Sequence, residues 1–522
     1  MHVPLTPIRA LYRAVDLYGR KVGIVCGERR FAYADFGERC ERLAFGLLSE
    51  GVLPGDRVAY LSFNTHQLLE GYFAVPLIRA VVMPLNVRLT AAEFACILRH
   101  AEPRIVIYES DFAPLVEALR TTCPGVSRWI EAGDPYEELL SRGRVQRPDV
   151  FTFDETEIAE LFYTSGSTGT PKGVTLSHRT LYLHMLGVSA TFYNDESTVE
   201  LHTIPLFHAN GWGRPQCATF HGLKQVMVRR FGPECVLRLI QDERATSMSL
   251  VPTMANALLH CPDLARFDTT SLRVIHLGGA ASSPELIERL EAAFGCLALA
   301  GYGLTETSPV ATSARDKSTV TFADAEDRFR HHACTGWPLP GAEVRVVDLA
   351  MKDVPRDRTA IGEIVIRGDL VMDGYYKEPK ATADVMTNGW LHTGDMATWD
   401  EDGFLLIVDR KKDIIISGGE NISSIEVERA IAAHPAVFEC AVVSAPDEQW
   451  GEVPAAFVVV KPGEKLDEAA LLEFLKQRIA KFKLPRRFCF SDTPLPKTGT
   501  GKILKRDLRE NLWNGRDSRV QG

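Results

Sequence analysis

The run Tyr163-Thr164-Ser165-Gly166-Ser167-Thr168-Gly169-Thr170-Pro171-Lys172-Gly173 packs hydroxyls, glycines and one lysine into a single tight loop. That composition suits a polyphosphate. Glycines let backbone N–H groups come close to phosphate oxygens, the Ser and Thr hydroxyls add rotatable donors, and Lys172 supplies a compact point charge. The run is not a Walker A loop, which needs Ser or Thr directly after the lysine; here Pro171 precedes Lys172 and Gly173 follows it. A flexible surface loop is the bland alternative. Against it stands the setting, an apolar strand-like lead-in at 159–163 and a second β-like run at 174–176.

The elements that must position such a loop follow an α/β pattern, with apolar β-like runs alternating with amphipathic helical patterns through the first 400 or so residues. Strands are expected at 57–61 after a Gly-Val-Leu-Pro-Gly-Asp turn, at 104–108 after Pro103, and at 273–277 before Gly278-Gly279. Segments 363–367 and 403–408 read as antiparallel strands of a smaller β-rich subdomain. After Arg410 the character changes to a charged hinge, a Gly-rich turn (Ser417-Gly418-Gly419), a helix at 425–434, strands at 438–443 and 455–460, a helix at 468–479 and an extended tail. These roughly 110 residues suit a small α+β domain.

A chain of 522 residues is long enough for two or more domains. Its 45% hydrophobic and 24% charged residues are ordinary for a globular protein, and a net charge of −9 argues against a nucleic-acid partner. An anionic substrate would therefore need locally positive sites. The 11 cysteines, scattered from Cys26 to Cys489 without a CxxC pair, read as thiols of a reducing compartment, with no structural disulfide expected. No basic n-region followed by an apolar run opens the chain, so no secretory leader is expected. The hydrophobic stretch 71–85 is broken by Pro76, Arg79 and Pro84 and is too short to span a bilayer. Cytoplasmic residence is the expectation; a peripheral membrane contact and a homodimer are both compatible with it. His331-His332-Ala333-Cys334 lacks the partner pair a zinc site requires, and no G-x-S-x-G elbow is present.

Four later segments join the first loop: Gly301-Tyr302-Gly303-Leu304-Thr305-Glu306-Thr307, Leu391-His392-Thr393-Gly394-Asp395, Asp409-Arg410-Lys411-Lys412-Asp413, and Pro496-Lys497-Thr498-Gly499-Thr500-Gly501-Lys502. In this order and at these spacings, over nearly the whole length, the chain resembles the AMP-forming acyl-CoA synthetases of the adenylate-forming ligase superfamily. It looks most like the medium- and long-chain fatty acid–CoA ligases. The resemblance implies an α/β fold: an N-terminal domain over residues 1–409, with two α/β sheets and a small β subdomain, and a mobile α+β lid over 410–522.

Carboxylates are poor electrophiles, and such an enzyme first turns one into an acyl-adenylate with ATP, releasing pyrophosphate, and then passes the acyl group to the thiol of CoA. It needs a pyrophosphate cradle, an Mg²⁺ ligand, holders for ribose and adenine, and a cation between carboxylate and α-phosphate. The resemblance assigns the β- and γ-phosphates to Thr164, Ser165, Gly166, Ser167, Thr168, Gly169 and Lys172. Tyr302, flanked by Gly301 and Gly303, would stack on adenine, Thr305 would meet the α-phosphate, and Glu306, with Thr168, would serve Mg²⁺. The alternative for 301–306 is a turn capping a helix, with Thr305 as N-cap. Gly278, Gly279 and Ala280 would form the other adenine wall.

Asp395, after a His-Thr-Gly turn, would accept both ribose hydroxyls, with Arg410 as a further donor at ribose or phosphate. Lys502 would bridge the carboxylate and α-phosphate; Lys412 would be the hinge that withdraws it and presents Ser417, Gly418 and Gly419 to the pantetheine arm of CoA. Lys481, Lys483, Arg486 and Arg487 are candidates for CoA phosphates, with a solvated charged face as the alternative. His208 would lie beside the carboxylate, and Asn210 and Trp212 beside the acyl chain, Trp212 touching only the acyl group or else being a core tryptophan. The expected substrate is a medium- or long-chain fatty acid. Alternatives are an aryl, branched or short sulfur-containing acid, a carrier protein in place of CoA, or a non-enzymatic nucleotide-binding scaffold.

Overall fold

The computed structural model describes residues 2–164, 171–192, 194–417, 420–447, 449–461, 463–497 and 503–513. Short, continuously apolar segments such as Arg57–Leu61, Val81–Pro84 and Ile105–Tyr108 are buried on both faces, as central strands of parallel sheets are. They belong to a seven-stranded sheet ordered Gly374–Tyr375, Lys172–Ser177, Ile158–Thr164, Val81–Pro84, Arg57–Leu61, Ile105–Tyr108, Arg128–Glu131. The last five run parallel and the first two antiparallel.

A nine-stranded sheet is built the same way. Leu297–Gly303, Val274–Leu277, Ser247–Leu250, Val199–His202, Lys224–Met227 and Val22–Cys26 run parallel, and antiparallel strands finish both edges. Helices Tyr33–Ser49 and His66–Leu77 bury residues in one core with strands of both sheets, including Ile24, Val58 and Ile105. The hydrophobic stretch 71–85 resolves into the end of His66–Leu77 and the strand Val81–Pro84. That helix is mostly apolar and buried on nearly every side, its buried Glu70 paired with Arg39. Among the described residues no helix is long and apolar enough to cross a membrane.

A further sheet carries Ala342–Val347, Gly362–Gly368, Trp390–Trp399 and Met386–Thr387 in order, with Leu405–Arg410 beside Trp390–Trp399. The chain divides into two compact units, one of residues 1–344, 365–392 and 400–405, the other of 345–364, 393–399 and 406–522.

In the second unit a long hairpin, Val437–Asp447 with Gly451–Val460, takes both Ile415–Ser417, antiparallel, and Arg487–Ser491, parallel, along the outer edge of Gly451–Val460. Helices Ser424–Ala432 and Glu468–Lys476 bury Val427, Ile431, Leu471 and Leu475 with Ile415 and Val458 of its strands. The segment expected as an extended tail contains the strand Arg487–Ser491 and the helix Lys505–Trp513, and the helix expected to reach residue 479 ends at Lys476. The free edge of Gly451–Val460 supplies the pairing for the strand. The helix forms because Leu508 and Leu512 pack with Ala441, Val443 and Val459 of the hairpin.

Candidate active site

Strands Ile158–Thr164 and Lys172–Ser177 are antiparallel neighbours, with Thr164 opposite Lys172 and Tyr163 opposite Gly173. The polyphosphate candidate is therefore the connection of a β-hairpin, and Thr164 and Lys172 face each other at its base. Ser165, Gly166, Ser167, Thr168, Gly169, Gly418, Gly419 and Lys502 lie outside the described residues.

Val274–Leu277 and Leu297–Gly303 run side by side with Leu277 opposite Ala300, so Gly278 and Gly301 emerge together at the carboxyl ends of parallel strands. Open α/β sheets bind ligands at such ends. A methyl group on Gly278 would lie 2.9 Å from Cη2 of Trp212 and 3.4 Å from the Gly301 carbonyl oxygen. The Trp212 indole thus rests on the Gly278-Gly279 wall, while Ala280 is exposed beyond it. The residue expected beside the acyl chain is thus packed against the glycines expected beside adenine.

Trp212 belongs to a turn, Ala209–Gly213, whose five residues all have positive φ, from 46° to 70°. Left-handed backbone costs about 1–2 kcal/mol per non-glycine residue, so the surroundings must enforce it. Behind Gly213 stands the ring of buried His184; a methyl on Gly213 would lie 2.4 Å from its Cε1. His184 Nε2 accepts from the Val310 amide at 3.2 Å, and burial lowers its pKa to about 4, so the ring is neutral. The next residue, Arg214, opens the helix Arg214–His221 and is buried, its Nε donating to Glu200 Oε1 at 3.0 Å and its Nη2 to Glu200 Oε2 at 2.5 Å. Asn210 is buried, with neither side-chain amide atom partnered among the described residues, and His208 is exposed at the head of the turn.

In the 301–307 segment, half-buried Tyr302 sits opposite Thr312 at the end of its strand. Thr305–Thr307 is a single 3-10 turn, and Thr305 caps no helix. Thr307 does the local bonding, its Oγ1 accepting from the Leu304 amide at 2.9 Å. Glu306 is held twice: its carbonyl accepts from the Met372 amide at 2.8 Å, and its Oε1 accepts from the Tyr375 hydroxyl at 2.8 Å. Tyr375 lies opposite Val174, and the Lys172 ammonium sits 4.8 Å from its ring centroid. Lys172, Glu306 and Tyr375 therefore form one constellation. Sequence reasoning missed Tyr375, whose only local signal is an aromatic pair following a glycine.

In the second unit Asp395 is not in a turn. It lies within the strand Trp390–Trp399, because Gly394 takes φ +70° and the strand continues through it. Asp395 is buried; its amide donates to Thr393 Oγ1 at 3.1 Å, and its Oδ1 lies 2.6 Å from Arg410 Nε. The Lys412 carbonyl accepts from Arg509 Nη1 at 3.0 Å, and the same nitrogen reaches Asp413 Oδ1 at 2.9 Å. Ser417 pairs with Gly451. The basic run is not a uniform solvated face: Lys483 holds both Glu426 oxygens at 2.7 Å, Arg487 donates to the Pro446 carbonyl, and Arg486 lies 5.4 Å from the Trp450 ring centroid. Lys481 is exposed.

The AMP-binding enzyme family matches residues 11–376, and the AMP-binding enzyme C-terminal domain matches residues 426–502. The chain is 40% identical over 520 residues to the long-chain-fatty-acid–CoA ligase of Thermus thermophilus, covering 97% of this chain and 95% of that protein. It is 35% identical over 543 residues to the peroxisomal benzoate–CoA ligase of Arabidopsis thaliana, covering 98% and 93%. ATP-bound MatB from Rhodopseudomonas palustris matches with a TM-score of 0.87 at 29% identity, covering 98% of this chain and 99% of that one. On this full-length agreement in sequence and fold, the chain belongs to the AMP-binding enzyme family and is an AMP-forming acid–thiol ligase, an acyl-CoA synthetase.

Proposed function

We propose that the enzyme activates a medium- or long-chain fatty acid. The carboxylate oxygen attacks the α-phosphorus of ATP, and the bond to pyrophosphate breaks. The CoA sulfur then attacks the acyl carbon of the adenylate, and AMP leaves. The residue roles are part of the proposal. Thr164, Lys172 and the loop between them hold pyrophosphate, Tyr302 and the Gly278-Gly279 wall hold adenine, Asp395 and Arg410 hold ribose, and Lys502 bridges carboxylate and phosphate. Glu306 fits Mg²⁺, a hard cation that takes one or two carboxylates plus substrate phosphates. A lid beyond Arg410, pivoting at Lys412, separates the two half-reactions.

The observation that carries the choice of acid is the place of Trp212. Its indole lies on Gly278-Gly279 and also packs with an apolar cluster containing Tyr182, Met185, Val188, Val310 and Leu339. An alkyl chain leaving the carboxylate there would meet apolar side chains, each buried methylene contributing ~0.8 kcal/mol. The 35% identity to a benzoate–CoA ligase favours a second reading, an aryl acid against the indole. Pyrophosphate release measured across octanoate to palmitate, benzoate and coumarate, with and without CoA, separates them. Activity should climb with chain length to a plateau; aryl acids outpacing all the fatty acids would establish the second reading.

A further inference from the structure

Glu306, Tyr375 and Lys172 come from three separate segments, and the fold makes the tyrosine their common neighbour. Tyr375 is pinned at several points. Its amide donates to Thr382 Oγ1 at 2.8 Å, the Gly374 carbonyl accepts from Thr175 Oγ1 at 2.7 Å, and the Tyr376 amide donates to the Gly173 carbonyl at 2.7 Å. It is therefore fixed to the strand that leaves the phosphate-loop hairpin. From this position the hydroxyl holds Oε1 of Glu306, and the ring face holds the Lys172 ammonium.

We propose that Tyr375 is a positioning residue for adenylation, whose hydroxyl orients Glu306 with Oε2 left for Mg²⁺ and whose ring seats Lys172 beside the phosphate loop. The proposal rests on the reading of Glu306 as the metal ligand. The physical case is that Mg²⁺ demands near-ideal geometry, while a glutamate has three rotatable bonds and must be oriented by something. A backbone bond to its carbonyl fixes the peptide and not the carboxylate; among the described residues the Tyr375 hydroxyl is what fixes the side chain. The cation–π seat places the Lys172 ammonium 4.8 Å from the centre of the ring whose hydroxyl bonds Glu306.

The test is Mn²⁺ binding to the full-length protein with a non-hydrolysable ATP analogue, read by EPR, for the wild type, Tyr375→Phe, Glu306→Gln and the double variant. Tyr375→Phe keeps the ring and deletes the O–H. It should weaken Mn²⁺ binding about tenfold, the loss typical when a group orienting a metal ligand is removed. Its melting temperature and its metal-free affinity for the analogue should match the wild type. Glu306→Gln should weaken Mn²⁺ binding at least as much, and adding Tyr375→Phe to it should cost nothing more. Wild-type Mn²⁺ affinity in Tyr375→Phe, or additive losses in the double variant, would overturn the role of Tyr375 while leaving Glu306 as the ligand. Wild-type Mn²⁺ affinity in Glu306→Gln would overturn both. Tyr375→Leu, which also removes the ring, should weaken metal-free analogue binding several-fold; an unchanged value would remove the seat for Lys172.

Discussion

At the scale of single residues, Trp212 has two sets of neighbours. Because its indole covers Gly278 and packs with the apolar cluster around Met185 and Val310, removing it opens space on both sides. We expect Trp212→Ala to broaden the acid profile and also to raise the apparent ATP KM several-fold, both read in steady-state pyrophosphate release. An altered acid profile with an unchanged ATP KM would mean that the indole's contact with Gly278 does nothing for the nucleotide. Arg214 poses a different question, because its value is structural. With Glu200 buried beside it, Arg214→Met leaves a carboxylate without its cation, which typically costs about 3–5 kcal/mol. Urea unfolding should show that loss. The Arg214→Met/Glu200→Met double variant should recover most of it, since no buried charge then remains.

At the scale of elements, the left-handed turn Ala209–Gly213 shows how neighbours impose a conformation that its own residues disfavour. His184 closes the space behind Gly213, and Arg214 anchors the following helix to the strand Val199–His202 through Glu200, so the turn is clamped where it ends. The hinge candidate is held differently. The carbonyl of Lys412 is bonded to Arg509 of the helix Lys505–Trp513, so movement at this residue would have to release or carry that contact. A proline fixes φ near −65°. Lys412→Pro should therefore leave pyrophosphate release largely intact and collapse acyl-CoA formation, measured as separate half-reactions. Normal acyl-CoA turnover in this variant would place the pivot elsewhere.

At the scale of the whole molecule, the acid side of the stability profile has an identifiable contributor. Burial alone would raise the pKa of Glu291, but the His332 ring 3.5 Å away and hydrogen bonds from Arg328 and the Ala298 amide outweigh it and hold the carboxyl at about 2, against an ordinary value of 4.5. A depressed carboxyl stabilises the folded state fully above its unfolded pKa, and the benefit is lost as pH falls through the folded one. Glu291→Gln should thus be less stable than the wild type at pH 7 by about 1–2 kcal/mol, allowing for partial solvent screening. The gap should close between pH 4.5 and 2 in chemical denaturation curves. A gap that stays constant down to pH 2 would assign the loss to packing rather than charge.

Much of this protein is written locally. The phosphate-loop run, the glycines after the strand Val274–Leu277 and each of the five segments are patterns within a few residues, and turn chemistry, strand alternation and loop composition act over that range. From them follow the family, the α/β layout and the chemistry the enzyme performs. The tertiary structure alone decided which distant groups meet. Tyr375 reaches Glu306 across 69 positions because Gly374–Tyr375 adds to the strand leaving the phosphate loop, and sheet register carries no periodic mark in the intervening chain. Trp212 meets Gly278, and His184 backs Gly213, because close packing fills whatever space a missing side chain leaves, a matter of shape that residue spacing cannot express. Asp395 is in a strand and not a turn for a related reason: the glycine before it reads as a breaker, yet it took a left-handed φ at no steric cost and let the strand run on.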